Sequence, residues 1–218
     1  MDRLGFIFKP SSMFAMVFIV FIASVCIAET PVATVPKQAF EAKRTYCMTC
    51  HGVAAQGFRG VFPIPRLAGQ QPQYIKNQLS AFIERRRMNP VMFRVAHVLS
   101  PAMVDGLAAY FATLNPKPLG GAPENLVAAG KAIFENGIPS QNVPPCASCH
   151  GPQAKGSDQF PRLAGQLNDY IINKLTNWTK ERGQDPKKPD TSAIMAPIAH
   201  LLTTEQVTEV AAYLSSLE

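Results

Sequence analysis

The second half of this chain repeats the first. Pro65-Arg66-Leu67-Ala68-Gly69-Gln70 recurs letter for letter as Pro161-Arg162-Leu163-Ala164-Gly165-Gln166. Tyr74 and Ile75 recur as Tyr170 and Ile171, and the stretch from Met92 to Leu99 is matched by Met195 to Leu202. One half closes with Leu107-Ala108-Ala109-Tyr110-Phe111, the other with Val210-Ala211-Ala212-Tyr213-Leu214. Such self-similarity constrains the fold more than composition can, because one architecture must serve both copies. The spacing between copies changes from 96 residues at the hexapeptide to 103 at the methionines. Those changes are loop-length differences, the longest being the polar insert Gly183 to Ser192.

Each copy holds one C-x-x-C-H pentapeptide, Cys47-Met48-Thr49-Cys50-His51 and Cys146-Ala147-Ser148-Cys149-His150. Together they contain every cysteine except Cys26. This motif attaches c-type haem. Cysteines three apart on a helical turn set both sulfurs along one edge, where they add to the two vinyl groups of one porphyrin. The next residue, histidine, then presents its imidazole to the iron as proximal ligand. A zinc site would need ligands from both pairs in one cluster, and a redox C-x-x-C pair does not require the histidine. Two covalent haems follow, with Cys47, Cys50, Cys146 and Cys149 as attachment points.

The amino terminus agrees with export. Arg3 and Lys9 precede an almost unbroken apolar run, Met13 to Ala28. This reads as a secretory signal peptide over residues 1–28, cleaved after Ala28. The run is short for a spanning helix of roughly 20 residues, and an uncleaved anchor is the alternative. Haem attachment to thiols occurs outside the cytoplasm in bacteria, so the leader and the motifs explain each other. With Cys26 removed, no thiol is left for a disulfide.

Within each half the pattern is helical. Sustained alternation is absent, and prolines fall between periodic segments. Ser100-Pro101 starts a helix with Met103, Leu107, Phe111 and Leu114 on one face. Thr203-Thr204-Glu205-Gln206 is a capping box opening its counterpart, with Val207, Val210, Leu214 and Leu217. Ile75, Leu79, Phe82 and Ile83 line a middle helix, repeated as Ile171, Leu175 and Trp178. Helices are also expected around Lys37–Tyr46 and Glu124–Asn136, ahead of the two motifs. The fold class is therefore all-α, with haem domains at 29–115 and 124–218 and a Pro/Gly-rich linker at 116–123. A domain of roughly 90 residues buries a thin core alone; a covalently held apolar macrocycle supplies the remainder.

The sixth ligand decides the chemistry. Methionine closes the iron and raises its potential. The second half offers only Met195 downstream of its motif, and the repeat register pairs it with Met92. Met88 has no counterpart, and Met103 aligns with Gln206 on a helix face. His97 and His200 each lie five positions after the methionine and are the alternative ligands; bis-histidine ligation would lower the potential. On the proximal side, the carbonyls of Pro65 and Pro161 are candidates to accept the other imidazole N–H. Arg66/Arg162 and Arg86/Arg182 are read as aligned cations, facing either haem propionates or solvent.

With these residues in place, the chain resembles the diheme cytochrome c4 family, each half being similar to a small class I cytochrome c. The tandem arrangement, Leu-Ala-Gly-Gln after each haem motif and the Met-then-Leu-Ala-Ala-Tyr ending carry the resemblance across the whole mature chain. It implies axial pairs His51/Met92 and His150/Met195, and two haems close enough for rapid internal electron transfer. It also implies a periplasmic protein, often membrane-associated, that passes electrons toward a terminal oxidase. His97, His200 and the 183–192 insert depart from the family pattern.

Charge divides unevenly. Residues 29–115 hold ten Lys/Arg against four Asp/Glu, net +6, and residues 116–218 hold nine against ten, net −1. The excess includes Arg85-Arg86-Arg87, which suggests an acidic redox partner or anionic lipid headgroups. Nucleic acid does not suit an exported haem protein, and no small-molecule substrate is expected. Three functions compete: a free electron carrier that is not an enzyme, a cytochrome subunit of a dehydrogenase complex, and a diheme enzyme such as a peroxidase or thiosulfate dehydrogenase.

Overall fold

The structure, a computed structural model, describes residues 35–182 and 191–218, together with Met1 and Gly5. The expected signal peptide, with Cys26 and its cleavage point, lies outside the described residues. So does most of the polar insert, residues 183–190. Ten α-helices and one short 3-10 turn, Pro139–Gln141, make up the regular structure among the described residues, with isolated bridges and no strands.

The first half runs α1 (Lys37–His51), α2 (Pro72–Ile83), α3 (Pro90–Ala96) and α4 (Pro101–Thr113). Prolines sit at the first turn of α2, α3 and α4, where a missing N–H costs nothing. Asn89 caps α3 by accepting from the Val91 and Met92 N–H groups, and Ser100 caps α4 by accepting from Met103. Met103, Leu107, Ala108 and Phe111 of α4 meet Ile75 of α2 in one core. Met103 is thus a packing residue, as its spacing indicated.

The second half runs α5 (Glu124–Asn136), α6 (Ala147–His150), α7 (Asn168–Thr176), α8 (Trp178–Glu181), α9 (Ser192–Leu201) and α10 (Thr204–Ser216). Thr203 and Gln206 form the expected capping box. Phe134, Ile171, Val210, Ala211, Tyr213 and Leu214 make the second core. Two differences separate the halves. α1 runs straight through its haem motif, whereas α5 stops at Asn136 and a loop closed by an Ile138–Val143 bridge precedes α6. The middle helix, continuous as α2, breaks between α7 and α8 at Asn177, whose side-chain N–H₂ donates to the Asn173 carbonyl at 3.2 Å. A side chain that competes for the helix's own carbonyls favours such an end.

In each half the first and last helices cross closely. A Cβ on Gly130 of α5 would lie 1.9 Å from the Glu209 carbonyl oxygen of α10. In the first half the glycine is on the other partner: Gly106 of α4 faces the Phe40 ring of α1, 3.2 Å from where its Cβ would be. The same crossing is made twice with the small residue exchanged between helices.

Candidate haem sites

Both motifs end on a buried histidine followed by a glycine with positive φ, Gly52 at 89° and Gly151 at 77°. A Cβ on Gly52 would stand 2.7 Å from the Gly57 carbonyl, so the chain can reverse there only with glycine. The reversal is hydrogen-bonded identically in both copies. Ala55 N–H donates to the Gly52 carbonyl and Gly57 N–H to that of His51; Ala154 and Gly156 repeat this with Gly151 and His150. The Ala55 carbonyl then accepts from Leu67 and Ala68, and the Ala154 carbonyl from Leu163 and Ala164. These bonds place the repeated Pro-Arg-Leu-Ala segment directly across from each histidine.

The consequence is a fixed imidazole. His51 Nδ1–H donates to the Pro65 carbonyl at 2.8 Å, and His150 Nδ1–H to the Pro161 carbonyl at 3.0 Å. A carbonyl accepts only from a protonated nitrogen, so Nδ1 carries a proton in each ring. Burial pushes both histidines below the usual imidazole range, with the proline carbonyl opposing more weakly. Both rings are therefore neutral at pH 7 and suited to bind iron through Nε2.

The cysteines match attachment rather than thiol redox chemistry. Cys47 and Cys146 are half-buried and Cys50 and Cys149 exposed. Burial raises the Cys47 thiol and pushes Cys146 up to about 11, the opposite of an activated redox thiolate. Among the described residues no three His, Cys, Asp or Glu side chains gather as a metal cluster.

Met92 lies half-buried on α3 and Met195 half-buried at the equivalent place on α9. α3 packs on α2, and α9 on α7 and α8. Met88 is exposed. His97 and His200 are exposed as well. His97 Nδ1 bonds the Phe93 carbonyl of its own helix at 3.1 Å, and the two rings stack.

A family model described as Cytochrome c matches residues 127–218. Cytochrome c4 of Thiocapsa roseopersicina is 39% identical over 187 residues, covering 83% of this chain and 92% of that protein. The chain belongs to the diheme cytochrome c4 family. A thiosulfate dehydrogenase electron acceptor of Stutzerimonas stutzeri is 34% identical, covering 78% of each chain. The solved cytochrome c4 of Acidithiobacillus ferrooxidans superposes with a TM-score of 0.66 at 37% identity, covering 79% of this chain and 99% of that one. The chain carries two covalently bound haem c groups on tandem cytochrome c domains, as the family does.

The interior between the halves fits those groups. Arg66 and Arg162 are buried, and each turns its Nε onto a nearby carbonyl, Ala68 and Ala164, at 3.0 Å. Arg66 Nη1 and Arg162 Nη2 are buried without a hydrogen-bond partner. Burial, reinforced by the Arg162 charge, lowers Arg66 to about 10; burial lowers Arg162 too. Buried guanidinium nitrogens that lack an acceptor suit anionic haem propionates.

The second arginine pair differs from the sequence expectation by one residue. Arg87, not Arg86, is the mate of Arg182: their backbones form an antiparallel bridge and both side chains are buried. Arg85 takes a left-handed φ of 58°, adding a residue to the first-half turn that the second half lacks. Gln78 Oε1 accepts from Arg87 at 2.7 Å and Arg182 at 3.1 Å, while Arg87 also donates to the Tyr170 hydroxyl at 2.7 Å. Arg87 stacks on Phe82 and Arg182 on Trp178. The Arg85–Arg87 run is consequently not a surface patch. Arg86 bonds Glu84 at 2.8 Å, and only Arg85 is exposed, lying over Phe93.

The contacts that the sequence reading did not single out are those of Gln70 and Gln166. Each is buried and reaches into the opposite half. Gln70 Oε1 accepts from Arg162 N–H at 2.7 Å and its Nε2 donates to the Arg162 carbonyl at 3.0 Å. Gln166 does the same with Arg66, at 2.8 and 3.1 Å. The one available signal was the identity of the hexapeptide, kept to its final glutamine.

Proposed function

We propose that this protein is an exported, periplasmic carrier, not an enzyme, that takes single electrons from a respiratory donor and passes them toward a terminal oxidase. Each haem, once attached, supplies a one-electron iron couple. The observation that carries the reading is the matched pair of sites: the same buried histidine, proline carbonyl and half-buried helical methionine occur in both halves. His51 and Met92 hold the first iron, and His150 and Met195 the second. A site closed by two protein ligands changes little on electron transfer, whereas catalysis at haem needs a vacant position. The likeness of the two halves favours a carrier over a peroxidase, in which one site would be specialised and open.

The first half is the docking face. From Thr45 to Ile83 the sequence contains no Asp or Glu. The loop after the first motif exposes Val53, Val61 and Phe62 at 85%, 91% and 83% beside Arg59, whereas the second half has the short turn Ser157–Phe160 with Asp158. Exposed apolar groups beside a cation, in a stretch without carboxylates, suit an acidic redox protein, with anionic membrane headgroups as a peripheral aid. A second reading has specific support: the acceptor from Stutzerimonas stutzeri is a relative over most of both chains, so a thiosulfate dehydrogenase is an alternative donor. Stopped-flow mixing separates the two. Reduced protein mixed with oxidase-containing membranes should be oxidised within turnover. Rapid reduction by thiosulfate plus its dehydrogenase, with no oxidation by the membranes, would replace the first reading with the second.

A further inference from the structure

The two glutamines do more than join the halves. The carbonyl that receives the His51 imidazole belongs to the peptide between Pro65 and Arg66, and the N–H of that same peptide donates to Gln166 Oε1 at 2.8 Å. In the other half the Pro161–Arg162 peptide accepts from His150 and donates to Gln70 Oε1 at 2.7 Å. In a trans peptide the carbonyl and N–H point in opposite directions. Each peptide is therefore held between a histidine of its own half and a glutamine of the other.

The glutamine orientation is fixed by its neighbours. Gln166 Oε1 accepts from both Arg66 N–H and Leu167 N–H, and Gln70 Oε1 from both Arg162 N–H and Gln71 N–H, while each Nε2 meets a carbonyl. An acceptor on the N–H polarises the peptide and makes its carbonyl a stronger acceptor, by roughly 10–30% per bond. A stronger acceptor on Nδ1–H makes the imidazole more electron-donating. Electron donation to iron stabilises its oxidised state.

We infer that Gln166 and Gln70 are positioning residues that set, across the domain boundary, the donor strength of the opposite half's histidine: Gln166 acts on His51 and Gln70 on His150. This rests on His51 and His150 being the proximal ligands.

The test uses the full holoprotein with both haems. The Nδ1–H resonances of His51 and His150 are followed by ¹H–¹⁵N NMR in the reduced state, and each haem's midpoint by NMR-monitored redox titration. Gln166→Leu should weaken the His51 bond, moving its Nδ1–H resonance upfield. The first haem's midpoint should rise, shifting electron sharing toward it a few-fold, with His150 and the second haem moved less. Gln70→Leu should do the converse. Gln166→Met removes the acceptor while keeping the side-chain length and should move the His51 signal the same way; it decides should Gln166→Leu not fold. Effects confined to the mutated half, equal in both halves, or absent overturn the inference. A His51 ring without the hyperfine shift of an iron ligand in the oxidised protein overturns the ligand assignment instead.

Discussion

At each motif the histidine is prepared for iron by two neighbours, a glycine that turns the chain and a proline carbonyl that fixes the ring. The cysteines act independently in their own halves. Substituting Cys146 and Cys149 together should remove the second haem only, leaving one haem per chain by mass spectrometry; loss of both would contradict two autonomous attachment sites. Met92→Ala and Met195→Ala should each open one iron, lower its midpoint and create carbon monoxide binding at that site. His97→Ala should leave the spectra nearly unchanged, since His97 is exposed and bonded to its own helix. Single-residue chemistry of this kind was legible in the sequence because covalent haem attachment demands fixed spacing. The proline carbonyls were legible too, through the repeat. Arg87 was not: carrying the 96-residue offset past Tyr74 and Tyr170 lands on Arg86, and a left-handed Arg85 does not show as a pattern.

At the scale of elements, the helix crossings discriminate between two glycines that look alike in sequence. Gly130→Ala puts a methyl group against the rigid Glu209 backbone, and overpacking of that kind costs about 1–3 kcal/mol. Gly106→Ala meets only the edge of the Phe40 ring, and alanine gains roughly 1 kcal/mol of helix propensity over glycine. Denaturant unfolding of the two holoproteins should therefore show a clear loss for Gly130→Ala and little change for Gly106→Ala; equal losses would contradict the crossing geometry. The apolar spacing gave most helices their place, and α5 spans Glu124–Asn136 as expected. The break at Asn177 leaves no mark on the pattern, because Ile171, Leu175 and Trp178 keep a helical period across it. Periodicity records which residues face the core, not whether the backbone between them is continuous.

For the whole molecule, two similar sites have dissimilar surroundings: exposed apolar side chains beside Arg59 at the first, and a short turn bearing Asp158 at the second. Arg59→Glu, or Val61→Ser with Phe62→Ser, should slow oxidation by the partner several-fold. The effect of Arg59→Glu should shrink as salt screens charges beyond about 8–10 Å. Reversing Arg87 should instead damage folding, because it is buried between Phe82 and Tyr170; a folded variant with altered docking alone would contradict that placement. The sequence showed the charge imbalance but not its distribution, since three consecutive arginines take three different environments. What unites these scales is the claim that both irons are closed by protein ligands and carry electrons without binding a substrate. Carbon monoxide titration of the reduced, unmodified holoprotein at neutral pH tests it most directly. Neither haem should bind carbon monoxide; stoichiometric binding at one or both would contradict closed irons and make the open-site enzyme reading the better one.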